Sequence, residues 1–162
     1  MNKLKTVFVD RDGVINQERS DYVKSISELE IYPNVAKNIK LLKDAGFLVI
    51  VITNQSAVNR GIITHEIVSQ IHDSIQDHLK KYGTFLDGFY YCPHTPNENC
   101  NCRKPKPGLL QQAILELNID LNSSWMIGDS DSDIEAADSI GCKAIKINDN
   151  FSLDNAVEKI LN

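Results

Sequence analysis

The chain has 162 residues, 42% of them apolar and 24% charged, and carries a net charge of −5. Those values describe one globular domain, spanning 1–162, that can bury a single sizeable core. The acidic balance argues against general nucleic-acid binding, and no apolar run approaches the length of a membrane span. The opening Met1-Asn2-Lys3-Leu4-Lys5 passes into the first strand without the apolar stretch of a secretion signal, so a cytoplasmic protein with a small-molecule partner is expected.

The first predicted strand, residues 6–10, runs into Asp10-Arg11-Asp12-Gly13-Val14-Ile15-Asn16. Strand alternation would send Asp10 and Asp12 to opposite faces, but a chain that breaks at Gly13 can turn both inward. Two carboxylates so placed can divide labour, one ionised as nucleophile or metal ligand and the other exchanging a proton. Taken alone the same residues also read as a turn. A helix over 34–45 follows, with Asn34 as N-cap, Val35, Ile39 and Leu42 on one stripe, and Gly46 as its stop. The next strand, 47–53, ends in Thr53-Asn54-Gln55-Ser56. Thr64 can cap a second helix, in which Ile67, Ile71, Ile75 and Leu79 repeat every fourth residue before Gly83. His65, His72 and His78 lie on or beside it without matching partners and read as surface residues.

A third strand, 88–92, enters Cys92-Pro93-His94, five further residues, and Cys100-Asn101-Cys102. Four cysteines in a reducing compartment are more often thiols or metal ligands than disulfides. Three thiolates and an imidazole within one loop, 92–102, suit tetrahedral zinc, and a full complement of protein ligands marks a structural ion rather than a catalytic one. Arg103-Lys104-Pro105-Lys106-Pro107 then sets cations before a helix that opens near Pro107 and carries Leu110, Ile114 and Leu117. The zinc loop would hold Arg103 and Lys104 in place. The strand at 125–129 ends in Gly128-Asp129-Ser130-Asp131-Ser132-Asp133, a short helix runs from Asp131 towards Gly141, and a last strand spans 143–147. Cys142 reads as a buried core thiol. Leu153, Val157 and Ile160 mark a terminal helix over 153–161.

Strands alternating with helices imply an α/β fold, a doubly wound and mainly parallel sheet with helices on both faces. Ligands of such sheets bind at the carboxyl ends of the strands, so the four polar segments should converge on one crevice. No stretch is long enough for a separate cap domain, which leaves the cover to loops 17–30, 57–63 and 93–103.

The order acid pair, Thr, Lys, acid pair resembles the haloacid dehalogenase (HAD) superfamily of phosphohydrolases. DRDGVIN, TNQS, CPH…CNCRKPKPG and GDSDSD together resemble its branch of D-glycero-D-manno-heptose 1,7-bisphosphate and histidinol-phosphate phosphatases, over about residues 7 to 141. The resemblance implies a HAD-like Rossmannoid fold and a Mg²⁺-dependent phosphatase. Asp10 would be the nucleophile that forms an aspartyl-phosphate, and Asp12 the proton donor to the leaving oxygen and later the base for water. Mg²⁺ would be held by Asp10, the Asp12 backbone carbonyl and Asp129, with Asp133 supporting them from behind. Thr53 would donate to a phosphate oxygen, and Lys104, rather than Lys106, would neutralise charge at Asp10. Asp131 reads as solvent-facing or a helix cap.

Arg11, Glu18, Arg19, Ser20, Asp21, Asn54, Gln55, Ser56, Arg60 and Arg103 remain for the rest of the substrate, arginine forks suiting a second phosphate or sugar hydroxyls. The expected substrate is heptose 1,7-bisphosphate, losing its C7 phosphate on the way to nucleotide-activated heptose for lipopolysaccharide and other surface glycans. Histidinol phosphate is the alternative substrate, since Ala57, Leu109 and Ser130 depart from the heptose pattern. A phospho-accepting receiver domain is the alternative of another class. A monomer is expected, with no nucleic acid or membrane partner.

Overall fold

The computed structural model describes residues 2–162. Five strands alternate with five helices in chain order: β1 (Thr6–Val9), α1 (Val35–Asp44), β2 (Leu48–Asn54), α2 (His65–Lys80), β3 (Gly88–Cys92), α3 (Gly108–Leu117), β4 (Trp125–Gly128), α4 (Asp131–Asp138), β5 (Lys143–Lys146) and α5 (Leu153–Leu161). The strands form one wholly parallel sheet in the order β3-β2-β1-β4-β5. The expected doubly wound α/β architecture is therefore observed, with no separate cap domain among the described residues.

Side-chain alternation along each strand divides the core into two layers. Val7, Val9, Val49, Val51 and Ile127 face α1, α2 and α5. Phe8, Ile50, Ile52 and Met126 face α3 and α4. With both faces covered, the central strands are apolar throughout, as β2 is from Val49 to Ile52.

The helices start and stop largely where local chemistry requires. Thr64 Oγ accepts from the Ile67 N–H at 3.2 Å and so caps α2. Asn34 precedes α1 but makes no side-chain cap. Asp131 is the exposed first residue of α4, while Ser130 and Asp133 form the capping box, so the cap role falls to Ser130. Cys142 is buried as expected, and burial pushes its thiol up to about 11.

The topology decides where the polar strand ends meet. The chain leaves β1 for β2 and β3 on one side of the sheet and crosses to β4 and β5 on the other, so the order reverses between β1 and β4. Asp10 and Asp129 follow those two strands directly. The long β1–α1 connection is pinned at its base, where Gln17 N–H donates to the Glu30 carbonyl (2.8 Å) and Tyr32 N–H to that of Ile15 (3.0 Å). Its tip is rich in ion pairs among Arg19, Asp21, Lys24 and Glu28, and Arg19, Ser20, Tyr22 and Val23 share one hollow with Asp12 and Asn54 at the carboxyl ends of β1 and β2.

Candidate active site

Asp10 and Asp12 both turn toward the crevice because the chain breaks after β1. The Arg11 carbonyl collects the N–H groups of Val14, Ile15 and Asn16 (3.2, 2.8 and 3.2 Å), which leaves the Asp12 carbonyl without a backbone partner among the described residues. Gly13 has φ +89°, and a Cβ there would lie 2.0 Å from Asp129 Oδ2. Glycine is thus required twice, for the backbone sign and for the approach of the second carboxylate.

Asp10, Asp12, Asn54, Lys104 and Asp129 line one cleft of about 180 Å³ with Glu18, Ser130 and Ser132. Asp10 Oδ1 accepts from the Arg11 N–H (2.8 Å) and forms an ion pair with Lys104 Nζ (3.0 Å). Lys104, 4% exposed, also donates to Asp133 Oδ1 (2.5 Å) and to the Ile52 carbonyl (2.8 Å). Burial works against its charge, but Asp10 and Asp133 outweigh it and hold the Lys104 pKa above its usual value. Lys106 is exposed. Asn54 clamps the Lys104 backbone reciprocally, accepting its N–H (3.0 Å) and donating to its carbonyl (3.1 Å).

The carboxylates crowd. Burial first, then Asp133 and Asp12 working against the opposing pull of Lys104, push Asp10 up to about 7. Burial and Asp133 raise Asp129, while burial, Asp129, Asp12 and Asp133 raise Glu18. One oxygen each of Asp10, Asp129 and Asp133 falls within 4.8 Å of the others. Asp133, however, is fully committed, because Oδ1 takes Lys104 and Oδ2 takes the Ser130 N–H and hydroxyl (3.2 and 2.9 Å). The donors that fit a hard divalent cation are therefore Asp10, Asp129 and the open Asp12 carbonyl, with Asp133 holding Lys104 behind them.

Asp12 is gripped by four hydrogen bonds. Arg11 Nη2 reaches both its oxygens (3.0 and 3.3 Å), Asn16 Nδ2 donates to Oδ1 (2.9 Å) and Gln55 Nε2 to Oδ2 (2.8 Å). Gln55 Nε2 also donates to Thr53 Oγ1 (2.9 Å), so Thr53 is buried at the end of β2 and tied to the same group. Sequence reasoning missed Asn16, although it stands in the same motif. Sequence expectations for Arg11 and His72 need correction here. Arg11, expected at the substrate, is 1% exposed and lies beneath Asp12, away from the cleft. His72, expected at the surface, is 6% exposed and its Nε2 lies 3.3 Å from Arg11 Nη1.

A second hollow of about 280 Å³ shares Asp12, Glu18 and Asn54 with the first. Arg19, Ser20, Tyr22 and Val23 of the β1–α1 loop, Gln55, Ser56 and Arg60 after β2, and Arg103 complete its wall, so three loops do form the cover. Asp21, expected at the substrate, pairs instead with Lys24 and Arg19, whose hydrogen bonds, that of Lys24 foremost, hold its carboxyl down at about 2. Arg60 Nε donates to Ser56 Oγ (3.2 Å) and Arg103 Nη1 to the His94 carbonyl (3.3 Å), leaving guanidinium N–H groups of both for a ligand.

Cys92, His94, Cys100 and Cys102 converge after β3 and ahead of α3. Cys92 Sγ lies 3.0 Å from Cys102 Sγ and 3.3 Å from His94 Nδ1, which in turn lies 3.2 Å from Cys102 Sγ. All four ligand atoms fall within 4.8 Å of one another. Arg103 N–H donates to Cys100 Sγ (3.3 Å), a bond to the charged form. Burial raises the Cys100 thiol, but this bond and its neighbours prevail and bring it down to about 6. The donor set and its compactness fit a four-coordinate soft cation.

The chain is similar to known proteins in sequence and in fold. A family model described as HAD-hydrolase-like matches residues 101–160. A D-glycero-beta-D-manno-heptose-1,7-bisphosphate 7-phosphatase of Neisseria meningitidis is 39% identical over 140 residues, covering 86% of this chain and 75% of that protein. The Helicobacter pylori protein of the same name is 44% identical over 137 residues, covering 84% and 79%. Among solved structures, D,D-heptose 1,7-bisphosphate phosphatase from B. bronchiseptica, complexed with magnesium and phosphate, superposes with a TM-score of 0.90 at 30% identity and covers 98% of both chains.

Proposed function

The chain belongs to the D-glycero-D-manno-heptose-1,7-bisphosphate 7-phosphatase family of HAD phosphatases, and on that premise we propose that it releases the C7 phosphate of a heptose 1,7-bisphosphate. The observation that carries the reading is the joining of Asp10, Asp129 and Lys104 in one cleft at the point where strand order reverses. The relatives share an enzymatic name, which favours this reading over a receiver domain.

In the proposed reaction a carboxylate oxygen of Asp10 attacks phosphorus in line with the departing sugar oxygen. As the new O–P bond forms and the old one breaks, Asp12 gives its proton to the sugar oxygen. The sugar leaves as an alcohol and Asp12 remains as carboxylate. Asp12 then takes a proton from water as the water hydrolyses the aspartyl-phosphate. Lys104, fixed by Asp133 and by the Asn54 clamp, presents its charge where negative charge develops. Asp10, Asp129 and the Asp12 carbonyl would hold Mg²⁺, which supplies neutralising charge so that an anionic ester can approach a carboxylate. Thr53 would add a hydroxyl donor, and Glu18, Arg19, Ser20, Asn54, Gln55, Ser56, Arg60 and Arg103 would meet the sugar and its second phosphate.

Zinc in the Cys92, His94, Cys100 and Cys102 cluster would be structural, holding the loop that leads into Arg103 and Lys104. Chelation of that zinc should lower activity while far-ultraviolet circular dichroism keeps its sheet and helix signal, and global unfolding would contradict the assignment. Our reading sets the reaction in the cytoplasm, in a monomer, as a step towards nucleotide-activated heptose for surface glycans. Among the described residues no helix is long and apolar enough to cross a membrane.

The deciding experiment measures phosphate release from the α and β heptose 1,7-bisphosphates and from histidinol phosphate, with and without Mg²⁺. Preference for a heptose bisphosphate by more than about tenfold in kcat/KM, or about 1.4 kcal/mol in barrier, is expected. The reverse preference would transfer the assignment to histidinol phosphate.

A further inference from the structure

Behind Asp12 lies a buried row of side chains that starts on α2, and only its last member reaches the cleft. Arg11 Nη2 donates to both Asp12 oxygens (3.0 and 3.3 Å), and Arg11 Nη1 faces His72 Nε2 at 3.3 Å. An arginine can only donate, so His72 Nε2 must offer a lone pair and its ring is neutral, with the proton on Nδ1. The ring is fixed independently. It stacks on Phe89 of β3, centroids 4.3 Å apart and planes at 14°, and meets Tyr91 edge-on at 6.0 Å. Arg11 Nε has no hydrogen-bond partner, so His72 and Asp12 are the two side chains that orient the guanidinium. Neither Arg11 nor His72 lines the cleft or the adjoining hollow.

We propose that His72 is a positioning residue for the proton-transfer step, setting the plane of Arg11 and through it the direction in which Asp12 presents its carboxyl to the leaving oxygen. The inference rests on the reading of Asp12 as the acid, given above. Proton donation leaves Asp12 as a carboxylate, and the donors from Arg11, Asn16 and Gln55 match that product. A guanidinium that swung out of plane would lose the two-oxygen contact and let Asp12 rotate. Small errors in the position of a catalytic group cost large factors in rate.

The test compares leaving groups. A sugar alkoxide needs the proton from Asp12, whereas p-nitrophenolate leaves without one, and kcat/KM for each reports the chemistry up to phosphoryl transfer to Asp10. His72→Phe keeps the stack on Phe89 and removes the acceptor. His72→Gln can place its Oε1 near the position of Nε2. We expect His72→Phe to lose about tenfold or more in kcat/KM on heptose bisphosphate and less than about threefold on p-nitrophenyl phosphate, with His72→Gln close to the parent on both. Equal loss on both substrates, or His72→Gln as impaired as His72→Phe, would overturn the proposal. Should His72→Phe fail to fold, His72→Asn, whose shorter amide cannot reach Arg11, replaces it under the same criteria. Asp12→Asn serves as the reference: absence of leaving-group dependence there would sink the acid assignment itself, whereas its presence without an effect at His72 would sink only the positioning role.

Discussion

Acidification of the parent protein and of His72→Gln should separate their folding stabilities. Burial first, and the Arg11 charge second, hold His72 down at about 3, against 6.5 for the free group. In the unfolded chain the same imidazole takes up a proton below about 6.5, so the unfolded state binds more protons and stability falls as pH falls. The contribution is complete above about 6.5 and is lost across the window down to about 3. From pH 7 to 4.5 the linkage integral comes to about 2.5 kcal/mol. With a urea m-value of about 2 kcal/mol/M, the parent midpoint should drop about 1 M more than that of His72→Gln. The lone tryptophan, half-buried Trp125 on β4, provides a fluorescence reading of unfolding. Asp10, raised to about 7, works in the opposite direction, since its folded form gains a proton first. That effect is common to both proteins and cancels in the difference. Midpoints that fall in parallel would refute a neutral buried His72.

Lys104→Met should abolish phosphate release and destabilise the fold by about 3–5 kcal/mol, because fully buried Asp133 would lose its cation. Thermal unfolding should show a drop on the order of 10 °C, whereas Lys106→Met, at an exposed position, should leave melting and turnover nearly unchanged. Gly13→Ala would drive a methyl group onto Asp129, and the Mg²⁺ concentration giving half-maximal activity should rise at least tenfold. Gly61→Ala is the control, with φ +77° but open space around its Cβ, so it should cost only about 1 kcal/mol of stability and leave the Mg²⁺ requirement unmoved.

Much of this molecule is local enough to be read from its chain. The predicted strand at 88–92 and helix at 153–161 coincide with β3 and α5, and Thr64, Gly46 and Gly83 punctuate the chain as their chemistry demands. The polar strand ends were legible for the same reason, since an apolar run that stops in Asp, Thr or Asn announces a strand's carboxyl end. His72 escapes a reading that follows the α2 stripe at every fourth residue from Ile67. A helix advances about 100° per residue, so steps of four drift by about 40° each. The face that is buried runs instead through Val68, Ile71, His72, Ile75 and Leu79.

The alternation of elements and the polar ends of the strands were thus legible in the sequence alone, because hydrophobic periodicity and turn chemistry act over a few residues. The direction of Arg11, the company it keeps on α2, and the engagement of both Asp133 oxygens by Lys104 and Ser130 were decided only in three dimensions. A buried charge must find partners wherever the packed sheet and helices put them, and those of Lys104 and Arg11 include Asp133, 29 residues away, and His72, 61 residues away.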